Sequence, residues 1–356
     1  MFGNAWHVAT LFKIPVKVHW TFLLLIAYII GYGYSEGASP KVIAIFLVAI
    51  LLVFFCVLLH EFGHALTARR YDVETEDIIL LPIGGVARLR NLPDKPLQEL
   101  IIAIMGPMVN LVIAIVLFAI LFIIEGQQIF TNWGNINENS FLSLLPILIQ
   151  ANLTLIVFNM IPSFPMDGGR VLRALIAMKF GKLVATKWAS ILGQIICVGF
   201  IAVGVYTQNY LLVIVGIFIF LSAKNEYNSV KIDYKFKNKI VENALVKDYT
   251  SLIEYNTVAE AELQIQEVKE NTFIVINLSG EQCGTINRNQ ILKNKKTNPE
   301  IRISEIMNTN VQSITAEMPL IHAYYTLMQG IDLLLVIKNN ELIGFVDQDS
   351  VNAATS

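Results

Sequence analysis

Charge is what this sequence has least of. Only 15% of its 356 residues are Asp, Glu, Lys or Arg, while 55% are hydrophobic; an average soluble domain is about 25% charged. The scarcity is concentrated in Val18–Ser35, Val42–Leu59, Leu100–Ile124, Phe141–Met166 and Trp188–Ala223, which contain no charged residue at all. A helix rises about 1.5 Å per residue and the hydrocarbon core of a bilayer is about 30 Å thick, so roughly 20 apolar residues make one crossing. The first four stretches each fit one crossing. The fifth is too long for one and carries Thr207-Gln208-Asn209 in its middle, which divides it into two helices. Six spans are therefore expected before residue 224.

Basic excess and paired cysteines are also lacking. The 26 basic residues face 28 acidic ones, so there is no electrostatic footprint for a phosphate backbone and no nucleic-acid partner is expected. Cys56, Cys197 and Cys283 stand alone, which excludes a disulfide framework or a zinc ribbon and leaves them as packing residues. Lys13 and Lys17 before the first apolar stretch, with Gly37-Ala38-Ser39 after it, have the elements of a signal peptide. The apolar region is long for one and a second span follows at once, so a retained helix is expected.

The basic residues that are present set the orientation, because Lys and Arg mark cytoplasmic loops. They fall at Lys13 and Lys17, at Arg69, Arg70, Arg88, Arg90 and Lys95, and at Arg170, Arg173, Lys179, Lys182 and Lys187, with only Lys41 in the intervening loops. Six spans with both termini in the cytoplasm fit that bias. The expected organisation is a membrane domain over 1–223, a polar linker over 224–238 and a soluble domain over 239–356.

Ionisable groups inside such spans are the informative residues, since each costs about 2.5–3.5 kcal/mol at a helix centre and is retained for function. The segment Val42–Arg70 reads as one helix, with His60-Glu61-Phe62-Gly63-His64 near its cytoplasmic end. Positions i and i+4 share a helix face, so both imidazoles reach one metal ion while Glu61 beside them is placed to take a proton from water. This is the pattern of zinc-dependent peptide hydrolysis. A catalytic zinc takes three protein ligands and keeps a fourth position open. The outstanding source of the third is Asp167, in Asn159-Met160-Ile161-Pro162-Ser163-Phe164-Pro165-Met166-Asp167-Gly168-Gly169, where two prolines end the fourth helix and force irregular backbone. Such backbone at membrane depth lines a cavity or is buried in protein. His19 beside Trp20 reads as an interfacial anchor and Asn110 as a helix-bonding group; His7 and His322 lie in no constellation.

With these residues the membrane part resembles the site-2 protease family of intramembrane zinc metalloproteases, which pairs H-E-x-x-H with a later N-x-x-P-x-x-x-x-D-G. Val18-His19-Trp20, Leu81-Pro82-Ile83-Gly84-Gly85-Val86 and Gly106-Pro107-x-x-Asn110 extend the likeness over residues 10–223. The resemblance implies Zn2+ held by His60, His64 and Asp167, Glu61 as the catalytic carboxylate and Asn159 near the scissile carbonyl. It implies a single-span or membrane-tethered protein substrate in the lipid bilayer of the cell membrane. Because a helix hides its carbonyls, the substrate must unwind, and the run around Ile83, Gly84, Gly85 and Val86 is a candidate edge strand to hold it; a plain connecting loop is the alternative.

From Lys224 onward charges return. Phe273-Ile274-Val275-Ile276, a turn and Gly284-Thr285-Ile286 are echoed by Leu334-Leu335-Val336-Ile337, a turn and Gly344-Phe345-Val346, each preceded by a helical stretch, Val258–Lys269 and Leu320–Gln329. This repeat resembles a tandem pair of CBS domains, a module that in many proteins binds adenine nucleotides. Nucleotide-binding copies carry Ser or Thr and, three residues later, Asp; here Asn287 and Gln290, then Asp347 and Ser350, depart from it. A nucleotide, another ligand, a homodimer contact and substrate docking stay open as roles for the pair. The fold class expected is thus a polytopic α-helical membrane protein with six transmembrane helices and a soluble α/β tandem CBS domain. The competing reading is a transporter or channel gated by the repeats, which the lack of further charges along the spans disfavours. A pseudoprotease is disfavoured by the complete catalytic set.

Overall fold

The computed structural model describes residues 5–82, 84–90, 93, 95–126, 144–268, 270–339 and 341–355. The chain divides into two compact units, Met1–Val230 and Lys231–Ser356. The first opens with strands β1 (Ala5–Leu11) and β2 (Ile14–His19), followed by helices α1 (Phe22–Ser35) and α2 (Pro40–Arg69). Strands β3 (Thr75–Leu81) and β4 (Gly84–Leu89) come next, then α3 (Pro96–Glu125), α4 (Leu144–Asn159), α5 (Asp167–Phe180), α6 (Lys182–Tyr206) and α7 (Tyr210–Phe236).

Among the described residues, α2, α3, α6 and α7 are long and apolar enough to cross a membrane, and α1 and α4 are shorter apolar helices of 14 and 16 residues. The interruption between α6 and α7 falls at residues 207–209, where the polar triplet breaks the apolar run. Helix α1 starts at Phe22 rather than Val18 because Val18 belongs to β2 and pairs with Leu80 of β3. Helix α7 continues to Phe236, so most of the segment 224–238, read from its polarity as a linker, is helical. Helix α2 begins on Ser39, whose hydroxyl accepts the Val42 N–H, with Pro40 in the first turn; the proline lacks only an N–H that would be orphaned there anyway.

Small residues bring α2 and α3 together. A Cβ on Gly63 would stand 2.7 Å from the Met105 carbonyl oxygen, and Ala68 of α2 packs in one buried cluster with Ile102 of α3. With no hydrophobic drive between helices in lipid, close backbone approach of this kind supplies the packing. Helix α5 is held by Arg173, fully buried, whose Nε donates to Glu99 of α3 at 2.7 Å and whose Nη1 donates to Glu226 of α7 at 2.5 Å. Its guanidinium also lies 4.9 Å from the Phe164 ring centroid. A buried charge with two carboxylate partners ties α3 and α7 to the helix that begins with Asp167.

The four strands form one sheet in the order β1-β2-β3-β4, parallel between β2 and β3 and antiparallel elsewhere, which leaves β4 at an edge among the described residues. Ile14, Val16 and Ile78 pack on Phe62 and Ala65 of α2. Asp77 of β3, almost completely buried, accepts from Lys17 of β2 at 2.7 Å and from Arg88 Nε of β4 at 2.5 Å, so one carboxylate clamps three strands.

The second unit contains the sequence repeat. Its first half is β5 (Ser251–Ile253), α8 (Val258–Ile265), β6 (Thr272–Ile276), β7 (Gln282–Asn287) and α9 (Arg288–Thr297), and the short helix α10 (Ile303–Ile306) follows. The other half is β8 (Gln312–Thr315), α11 (Leu320–Leu327), β9 (Leu333–Lys338), β10 (Glu341–Asp347) and α12 (Gln348–Thr355). Each half folds a three-stranded sheet with the middle strand parallel to the first and antiparallel to the last. Ile274 of one sheet and Leu333, Leu335 and Phe345 of the other share a core.

Candidate metal centre

His60 and His64 lie one helical turn apart on α2, and Asp167 opens α5 after the turn that follows α4. The fold brings all three together and buries them. The two Nε2 atoms are 3.0 Å apart, and Asp167 Oδ2 is 3.2 Å from each. Ligands about 2.0–2.1 Å from a tetrahedral metal ion are about 3.3 Å from one another, so the three donor atoms already have the spacing that zinc requires. The outer nitrogens point away: His60 Nδ1 lies 2.5 Å from Asn110 Oδ1 and His64 Nδ1 lies 2.7 Å from the Ile102 carbonyl oxygen. Both rings thereby turn Nε2 inward, the arrangement by which metal-binding histidines are held.

The wall of this centre is the backbone of α3. A Cβ on Gly106 would stand 2.2 Å from His64 Nε2 and 2.7 Å from His60 Nε2, so only glycine leaves room for the donors. Glu61, the next residue along α2, stays outside the three-residue cluster and half-buried. Its Oε2 accepts the backbone N–H of Ala87 in β4 at 3.0 Å. A Cβ on Gly85 would reach within 2.6 Å of Glu61 Cγ, so the glycine of β4 is what lets the edge strand lie against this carboxylate. Gly84 and Val86 are on the same strand, and Ile83 lies outside the described residues. Asn159 is the last residue of α4 and partly exposed.

Sequence reasoning missed Asn152 of α4, fully buried, whose Oδ1 accepts from Asn110 Nδ2 at 2.7 Å. A polar side chain in a charge-free span was the available signal. Asn110 itself, read as a helix-bonding group, does join two helices, and it also touches His60. In the second unit, Asn287 and Gln290 form the capping box of α9. Asp347 and Ser350 bond reciprocally at the start of α12, Ser350 N–H to Asp347 Oδ1 at 2.8 Å and Asp347 N–H to Ser350 Oγ at 3.0 Å. The four residues that depart from the nucleotide-binding pattern thus start helices.

The fold and the site define a helical membrane protein with a buried two-histidine, one-carboxylate metal centre, carrying a two-repeat α/β unit. Residues 48–203 match peptidase family M50 and residues 303–354 match the CBS domain. The membrane part of this chain belongs to peptidase family M50, the site-2 protease family, and a CBS domain follows it. A zinc metalloprotease of Methanocaldococcus jannaschii is 38% identical over 231 residues, 64% of this chain and 63% of that protein; the chain thus spans less than two thirds of that relative's length. A Synechocystis sp. protein named as a candidate zinc metalloprotease is 25% identical over 98% of this chain and 95% of its own length. The solved site-2 protease of M. jannaschii aligns with 36% identity and a TM-score of 0.47, covering 63% of this chain and 95% of that one.

Proposed function

We propose that this chain is an intramembrane zinc endopeptidase that hydrolyses peptide bonds within or near the transmembrane segments of membrane-tethered proteins. The observation that carries the reading is the convergence of His60, His64 and Asp167 at tetrahedral ligand spacing beside the Glu61 carboxylate, which accepts a backbone N–H of the sheet edge. When bound there, zinc supplies Lewis-acid polarisation of a carbonyl and makes water acidic near neutral pH. Glu61 takes the proton from the attacking water and returns it to the departing amine. The Asn159 amide donates to the carbonyl oxygen as negative charge grows on it, a role worth about 3 kcal/mol for comparable donors.

Strand β4 holds the substrate. Its position at the edge of the sheet leaves one side of its main chain for an added strand, and the Ile83, Gly84, Gly85 and Val86 segment aligns an unwound peptide with Glu61. The membrane domain occupies 1–223 with six spans, both termini in the cytoplasm and the cell membrane as its location; the 239–356 pair regulates it through a ligand or through pairing of two copies.

The test is cleavage of a tagged single-span membrane protein by purified full-length chain in detergent. Glu61→Gln is expected to lower the rate by about 100- to 10,000-fold, the usual contribution of a general base, while zinc content stays equal to native. A chelator abolishes native cleavage and zinc restores it. Equal cutting by both proteins, or a native chain that takes up no zinc, defeats the proposal.

A further inference from the structure

Two of the most deeply buried polar side chains in the membrane domain, Asn110 and Asn152, belong to neither the ligands nor the catalytic group. A buried amide without partners costs several kcal/mol in an apolar medium, so its partners are what make it tolerable. Here the partners form a line from α4 to α2, and the Cys56 thiol of α2 also bonds the Asn152 side chain. Asn152 Nδ2 donates to the Leu148 carbonyl oxygen at 2.8 Å, Asn110 Nδ2 donates to Asn152 Oδ1 at 2.7 Å, and Asn110 Oδ1 meets His60 Nδ1 at 2.5 Å.

The polarity of that line follows from its far end. A main-chain carbonyl only accepts, so Asn152 must turn its NH2 to Leu148 and its oxygen to Asn110. An oxygen facing Asn110 needs a donor, so Asn110 presents its NH2 there and its own oxygen to His60. The oxygen accepts, so the proton of the imidazole resides on Nδ1 and the lone pair on Nε2, which faces His64 and Asp167. His64 reaches the same state in one step, through the Ile102 carbonyl oxygen.

We propose that Asn110 and Asn152 are positioning residues, a two-amide relay by which the Leu148 carbonyl on α4 fixes the tautomer of His60 on α2 and thereby the affinity of the metal site. Asn152 reaches His60 through Asn110. The relay rests on the metal-site reading given above, and it makes α4 a contributor to metal binding although α4 supplies no ligand.

The experiment measures zinc affinity of the full-length protein in detergent by competition with a chromogenic chelator, for native, Asn110→Leu, Asn152→Leu and the double variant. Leucine keeps the branching and the number of side-chain heavy atoms of asparagine and suits a membrane helix. Asn110→Leu is expected to weaken zinc binding about 10- to 100-fold, the usual effect of removing the outer partner of a ligand histidine. Asn152→Leu weakens it by a smaller factor, and the double variant equals Asn110→Leu alone. Losses that multiply in the double variant, or native affinity in Asn110→Leu, overturn the relay while leaving zinc binding by the native chain intact; a native chain that binds no zinc overturns both. A second measurement needs no variant: nitrogen NMR of the zinc-free native protein with labelled histidine must find the neutral His60 ring protonated on Nδ1, and a proton on Nε2 overturns the assignment.

Discussion

At the scale of single residues, Gly106 is the most exacting position in the site. The Cβ it lacks would overlap both inward nitrogens, and a retreat of α3 would open the close contact between Gly63 and the Met105 carbonyl. Overpacking of a tight site costs about 1–3 kcal/mol, so Gly106→Ala is expected to weaken zinc binding by roughly 5- to 150-fold at 1.4 kcal/mol per factor of ten. Isothermal titration of the purified chain with zinc checks it, and unchanged affinity would mean that the rings move aside freely. The convergence of His60, His64 and Asp167 was legible in the sequence, because helical spacing and an aspartate after a proline-broken span are local patterns. Asn152 was not, because its partner Asn110 lies 42 residues away and nothing local distinguishes a relay from a helix contact. The steric demand on Gly106 was equally hidden, since it comes from a different helix.

At the scale of elements, the apolar helices were legible as charge-free runs and the sheet was legible only in part. The run Ile78–Leu89 reads as strand-like and forms most of β3 and β4. Strands β1 and β2 escaped because their hairpin turns on Phe12 and Lys13, with φ of 51° and 63°, where Asn or Gly normally signals such a turn. Their partner is also distant: β2 pairs in parallel with β3, about sixty residues on. What fixes this sheet is Asp77. Arg88 and Lys17 hydrogen-bond its carboxylate and hold it below the ordinary carboxylate pKa against the opposing effect of burial. A carboxyl group more acidic in the folded state than in the unfolded chain contributes stability that is complete above the unfolded pKa. That stability is lost as pH falls through the lower, folded value. Hydrogen exchange at β3 and β4 amides is therefore expected to quicken as pH drops below about 4, after correction for the intrinsic rate. Asp77→Asn should exchange faster at neutral pH, by about 1–3 kcal/mol of protection for a charged hydrogen-bond acceptor, and lose that pH dependence. A native sheet whose corrected protection is flat with pH would show that Asp77 is not its clamp.

At the scale of the whole molecule, two units with separate cores are expected to unfold as two thermodynamic bodies. The repeat in the second was readable because each half is locally complete, with its own helix and sheet core. The helical continuation of α7 to Phe236 was not, because polar residues on a helix and in a linker look alike. Among the described residues the group placed to hold a metal, His60, His64 and Asp167, lies in the first unit, so stabilisation by zinc is expected there. Zinc held at one hundred times its dissociation constant stabilises a folded body by about 2.7 kcal/mol, or roughly 5–10 °C for a unit of this size. All four tryptophans, Trp6, Trp20, Trp133 and Trp188, lie before residue 231, so their fluorescence reports unfolding of the first unit alone while calorimetry reports both. Two heat-absorption peaks are expected in detergent, of which zinc raises only the one that coincides with the tryptophan transition. Zinc raising both peaks together, or a single peak tracked by tryptophan throughout, would mean that the two units unfold as one.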